Sequence, residues 1–154
     1  MEIIVAAAVV LSAFVGTPAN AIDIVGPGRF CGYSPIIDLL DGEKVMTLEG
    51  GIHGGSFRWE GDFGTLEVYG IGWASRPTGR IVKARHSSSP ARFAQKRVEG
   101  VYQIAIWNGS HGAAYFKSSI PSTQPQLDAI DRVELFEEGQ SPSGCKLRTT
   151  FSWE

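Results

Sequence analysis

GGIHGGSFRWEGDFGTLEVYGIGWA, Gly50 to Ala74, is the densest mixture of glycines and aromatics in the chain. Its side chains alternate. From Thr65 to Ala74, Leu66, Val68 and Ala74 fall on one face, and Thr65, Glu67, Tyr69, Ile71 and Trp73 on the other, which is the period of a strand. Upstream, Phe57 and Trp59 alternate with Ser56 and Arg58, the pattern of a half-buried antiparallel partner for Thr65 to Val68. Glu60-Gly61-Asp62-Phe63-Gly64 between them suits a longer hairpin loop. Gly70 and Gly72 interrupt the second strand, and glycines within a strand mark a bulge, a bend or the close approach of another backbone. The sequence therefore predicts that the faces exchange roles there, with Leu66 and Val68 inward first and Ile71 and Trp73 inward after the bend.

Working outward, Lys44 to Glu49 alternates and predicts the strand that enters this hairpin, after a short apolar run at Ile36 to Leu40 and an Asp41-Gly42 turn. Arg80 to Arg85 reads as a short strand. Val101 to Lys117 is a second hairpin about the turn residues Asn108 to Gly112. Arg132 to Glu138 and Cys145 to Trp153 predict a last hairpin around a Gly139 to Gly144 loop. One helix signal stands out over 90–99: Ser89 as N-cap, Pro90 at the first helical position, and Gly100 just past the end. A single strand from Lys96 to Ile106 is the competing reading, and Leu127 to Asp131 suits a helical turn. About seven or eight short antiparallel strands with turn signals between them predict an all-β fold, a β-sandwich or jelly-roll-like arrangement, with a small barrel as the alternative.

The 154 residues include 43% hydrophobic types, 19 Gly and 8 Pro, enough apolar content for one globular domain and too much for a disordered chain. Ile3 to Val15 is an apolar run followed by Ala19-Asn20-Ala21, so residues 1–21 read as a signal peptide and 22–154 as a single β domain. The run is shorter than the roughly 20 residues a membrane-spanning helix needs, and no transmembrane span is expected in the mature chain. Of the 16 acidic residues one, Glu2, precedes Ile22, which leaves the mature chain close to neutral against its 14 Lys and Arg. Global charge thus gives no argument for nucleic acid or an acidic membrane surface. Cys31 and Cys145 are the 2 cysteines, and in an oxidising compartment such a pair forms one disulfide closing nearly the whole domain. The expected location is periplasmic or extracellular.

Catalytic signatures are few. The chain has no P-loop, dinucleotide fingerprint, HExxH, CxxC or GxSxG elbow, and no cofactor is expected. His53-Gly54-Gly55-Ser56 matches the HGG oxyanion element of some esterases without the nucleophile elbow that accompanies it. The 3 histidines, His53, His86 and His111, sit among turn residues, and a metal site would need them to converge with a carboxylate such as Glu60 or Asp62. Between Glu67 and Glu99 no acid occurs, while Arg76, Arg80, Lys83, Arg85, Arg92, Lys96 and Arg97 make up half of the 14 basic residues. That segment predicts a basic surface for an anionic polymer or phosphate-bearing group, edged by Trp73, unless the bases pair with the acid-rich segments 38–67 and 128–138. Candidate binding residues are Trp73, Arg76, Arg80, Lys83, Arg85, His53 and His111. Asn108-Gly109-Ser110 is a formal glycosylation sequon whose Asn-Gly turn role accounts for it. A non-catalytic domain binding an anionic polymer, a saccharide or a protein partner is the leading expectation. A small hydrolase using His53 or His111 with Glu60 or Asp62, and a structural or inhibitory protein acting through an interface, are its rivals.

Overall fold

A computed structural model of the chain describes residues 22–137, 139–140 and 142–148. The expected leader, 1–21, and the end of the expected last strand, 149–153, lie outside them. In chain order the elements are β1 (Asp23–Val25), β2 (Gly28–Cys31), β3 (Pro35–Leu39), β4 (Lys44–Gly50), β5 (Gly54–Gly61), β6 (Gly64–Ile71), β7 (Ile81–Lys83), β8 (Ala91–Phe93), β9 (Lys96–Val98), β10 (Val101–Trp107), β11 (Ala113–Ser118), α1 (Gln124–Asp131), β12 (Glu134–Leu135) and β13 (Cys145–Arg148). The fold is all-β, a sandwich of a 9-stranded sheet ordered β1-β4-β5-β6-β11-β10-β8-β7, with β9 also on β10, and a 4-stranded sheet ordered β12-β3-β2-β13. Every pairing is antiparallel except β13 on β2.

Alternation decides which side chains fill the space between the sheets. Val45, Phe57, Trp59, Leu66, Val68, Ile104, Ile106 and Phe116 project from the large sheet onto Phe30, Ile37 and Leu39 of the small one, and Ala129 and Ile130 of α1 close the same core. Each fully buried side chain of this size contributes about 1.5–3 kcal/mol by leaving water. One buried carboxylate joins the layers: Glu43 accepts from Leu40 N at 3.1 Å and from Trp59 Nε1 at 3.3 Å, and its other oxygen pairs with Arg132. Arg132 also lies 5.4 Å above the Trp59 ring, so the charge is buried with its donors already in place.

Gly55 and Gly70 allow the small sheet to approach. A Cβ on Gly55 would overlap the Tyr33 ring, and one on Gly70 would stand 2.5 Å from Pro35 Cδ. The strand keeps its phase through these positions, and the predicted exchange of faces does not occur: Gly70 stays on the inner side with Leu66 and Val68, Ile71 is half-buried and Trp73 is exposed. The glycines mark the close approach of Tyr33 and Pro35, not a bend.

The predicted helix over 90–99 is absent. Its residues form β8 and β9, and Val98 pairs with Val101 across a tight turn in which Glu99 (φ 49) and Gly100 (φ 86) are both left-handed. Gly100 is thus a hairpin glycine and not a helix terminator. The single strand from Lys96 to Ile106 fails for the same reason. The helix lies at Gln124–Asp131, with Thr123 and Gln126 forming a capping box, so the turn expected at Leu127 to Asp131 is its second half. Strands number 13 among the described residues and not seven or eight, because pieces of two to four residues carry too little alternation to register. The predicted last hairpin is also replaced: β12 pairs with β3, and β13 with β2, so the two never meet. The expected loop at Glu60 to Gly64 shortens to a tip at Asp62-Phe63, with Gly61 paired to Gly64.

The disulfide joins Cys31 of β2 to Cys145 of β13 across a sequence separation of 114, with their Cα atoms 5.6 Å apart. No helix among the described residues is long and apolar enough to cross a membrane.

Candidate functional site

The sheet continues for a residue or two past its strand ends, and this draws loops together at one end. Gly51 N donates to Gly54 O (2.8 Å), Gly72 N to His53 O (2.9 Å), and Ala74 N to His111 O (2.6 Å). The loop before β5, the segment after β6 and the β10–β11 turn are thereby fastened side by side. Asn108 makes the last of these rigid: its Oδ1 accepts from Ser110 N at 2.9 Å and Gly112 N at 3.1 Å, and its Nδ2 donates to Phe136 O at 2.6 Å. Only 3% of Asn108 is exposed, so the sequon amide is consumed by the fold. Trp107 Nε1 donates to Ser110 O at 3.1 Å and holds the turn from its outer side.

Three of the predicted residues meet here. The Trp73 indole stacks on the His111 imidazole with ring centroids 4.9 Å apart and planes 23° apart, and the His53 ring stands 6.1 Å away at 46°. His111 Nδ1 is within 3.1 Å of Ser110 Oγ. Trp73 follows Tyr69 and Ile71 on the face opposite Leu66 and Val68, and it remains 69% exposed. Ile52, on the loop that carries His53, is 66% exposed and escaped the sequence reading because an isolated loop isoleucine carries no pattern. Behind this tip Tyr69 and Tyr115 face each other in register on β6 and β11, and burial pushes the Tyr115 phenol above its usual pKa. It stays a neutral hydroxyl at physiological pH.

Of the basic segment, Arg85 reaches this end, its guanidinium lying against Gly109 of the β10–β11 turn, while most of the others are engaged elsewhere. Lys83 and Arg92 both reach Asp131 at the end of α1, at 3.3 Å and 3.0 Å, and Arg85 pairs with Glu137. Arg76 lies 5.3 Å over the Phe93 ring and Arg97 5.7 Å over Tyr102, while Lys96 Nζ donates to Thr78 Oγ1 at 2.7 Å. Arg80 is exposed next to β7, its carbonyl accepting from Ala94 N. Asp131 and Glu137 belong to the acid-rich stretch 128–138, so the signal for this pairing was present in the sequence, though not the partner of each base.

Carboxylates that a hydrolytic reading requires lie elsewhere. Glu60 pairs with Lys44 at 3.0 Å and Asp62 is exposed at the β5–β6 tip, while His53 precedes the opposite end of β5. An eight-residue strand, about 25 Å long, separates them. His86 sits in the turn between β7 and β8. Among the described residues no group of three or more His, Cys, Asp or Glu is placed to hold a metal ion. Comparison with protein-family models, with curated proteins and with solved structures finds no match to this chain.

Proposed function

We propose that this chain is an exported, disulfide-stapled β-sandwich that binds a ligand, without transforming it, at the loop end that presents Trp73. The observation that carries this reading is the contradiction in Trp73 itself: a 69% exposed indole whose neighbours are nonetheless fixed by hydrogen bonds and a stacked ring. Exposed large aromatics on rigid loops are the usual anchors of recognition, because little conformational entropy is left to lose on binding. The distance of Glu60 and Asp62 from His53 supports binding over hydrolysis, since general acid and base groups must reach one substrate. Export is supported by the Cys31–Cys145 bridge and by the apolar run at Ile3 to Val15.

The test is a thermal-shift panel of neutral oligosaccharides, sulfated and phosphate polymers, inorganic phosphate and divalent metals, run on the oxidised protein and on Trp73→Ala. A ligand at about 100 times its dissociation constant stabilises the fold by about 2.7 kcal/mol, a shift of several degrees. At least one arm is expected to shift the wild type and leave Trp73→Ala unmoved. Shifts of equal size in both proteins would place binding elsewhere and remove the reading.

A further inference from the structure

We infer that the ligand taken at this loop end is a neutral saccharide, stacked by the apolar face of one sugar ring on the Trp73 indole; the inference rests on the binding reading above and names its ligand class. Three features converge on it: scale, charge and the chemistry of the rim.

Of the large exposed apolar side chains among the described residues, Trp73 and Ile52 are the pair at this end. Val25 and Leu40 belong to the opposite end, where β1 meets the start of β4, Ile22 lies beside Thr47 of β4, Ile120 follows the end of β11, and Ile81 and Val82 lie on β7. A protein interface of ordinary size draws on about 800 Å² from each partner, whereas a single aromatic side chain offers about 150–250 Å². The exposed apolar surface is therefore the size of one or two rings. It suits a small cyclic ligand better than a protein face.

Charge weighs against an anionic ligand at three of the seven bases of the segment. Lys83, Arg85 and Arg92 are committed to Asp131 and Glu137, and Arg76 is laid over Phe93. An anionic polymer that used Lys83, Arg85 or Arg92 would have to displace a carboxylate, whereas Arg76, Arg80, Lys96 and Arg97 keep their charge without one, so the heparin and polyphosphate arms below decide the charge of the ligand. A neutral ligand asks for no such rearrangement.

The rim completes the match. A sugar ring has an apolar C–H face bordered by hydroxyls, so it needs a π-surface with hydrogen-bonding groups beside it. Trp73 supplies the surface. His53, exposed with its ring 6.1 Å from the indole, supplies an imidazole that donates at one nitrogen and accepts at the other. His111, stacked against the indole, fixes the orientation of the ring and acts as a positioning residue.

The experiment titrates the full oxidised chain with neutral gluco-, xylo-, manno- and N-acetylglucosamine oligomers, with heparin and polyphosphate, and with single-stranded DNA, following heat and tryptophan fluorescence. Sedimentation of the unliganded protein is measured alongside. Trp73→Ala and Trp73→Phe are titrated in parallel, each first checked for an unchanged thermal midpoint; should Trp73→Ala not fold, Trp73→Leu, set against Trp73→Phe, reads the same dependence. At least one neutral oligomer is expected to bind, about tenfold or more weakly in Trp73→Ala, within a few-fold in Trp73→Phe, and unchanged between about 0.1 and 1 M salt. Trp73-dependent binding confined to heparin, polyphosphate or DNA, or Trp73-dependent self-association, would overturn the saccharide assignment and leave the binding reading standing. No Trp73-dependent event in any arm would overturn both.

Discussion

Trp59 and Trp73 are the same residue type, and both lie in the stretch whose alternation is clearest, yet they have opposite fates. Trp59 occupies the inner phase of β5, is 0% exposed and donates its Nε1 to Glu43. Trp73 falls on the outer phase beyond β6, and its ring contacts are His111 and His53. Their substitutions separate accordingly. Trp59→Ala leaves a large cavity and a buried carboxylate short of one donor, so it should cost about 3–5 kcal/mol in denaturant unfolding. Trp73→Ala should change stability by no more than about 0.5 kcal/mol, as for surface positions in general. A loss above about 2 kcal/mol at Trp73 would mean that the indole supports the fold and would weaken its assignment as an anchor. At this scale the sequence was legible for the burial of Trp59, but it turned Trp73 inward where the structure leaves it 69% exposed. It misled on Gly70, because a glycine records that something comes close without recording what.

The segment from Pro90 to Val101 shows how an element is decided outside its own residues. Its N-cap, proline and terminal glycine are good helix signals, but Ala91 and Phe93 are needed by Ala105, Trp107 and Tyr115 on the outer side of the large sheet. Pairing to β10 satisfies both the backbone and these side chains, which tertiary context often achieves against local propensity. The remaining strain sits at Glu99, a glutamate at φ 49 in a two-residue hairpin turn where Asn-Gly would be the preferred pair. Glu99→Asn should therefore raise stability by about 0.5–1 kcal/mol, read as a higher denaturant midpoint at constant slope. No gain, or a loss, would show that Glu99 makes a compensating interaction in the folded protein.

Across the whole molecule the disulfide ties the second strand to the last described one, with 114 residues of sequence separation between the cysteines. A loop of that length removes about 4–5 kcal/mol of conformational freedom from the unfolded chain in the entropy account, a large share of the 5–15 kcal/mol by which domains are stable. The double variant Cys31→Ala, Cys145→Ala should accordingly lose about 2–5 kcal/mol in denaturant unfolding, and a loss below about 1 kcal/mol would mean that the sandwich closes without its staple. The sequence by itself determined the all-β class, the strand phases of the central hairpin from Phe57 to Val68, the pairing of the 2 cysteines, and the turn positions of His53 and His111. These are consequences of local periodicity, of turn chemistry and of there being one possible partner for each cysteine. Only the tertiary structure decided that His53, Trp73 and His111 share one end, that Glu60 and Asp62 stand at the other, and that Arg85 finds Glu137 52 residues away. A period of two residues fixes which way a side chain faces. The order of strands in the sheet, set by which faces bury the most apolar surface together, fixes what it meets.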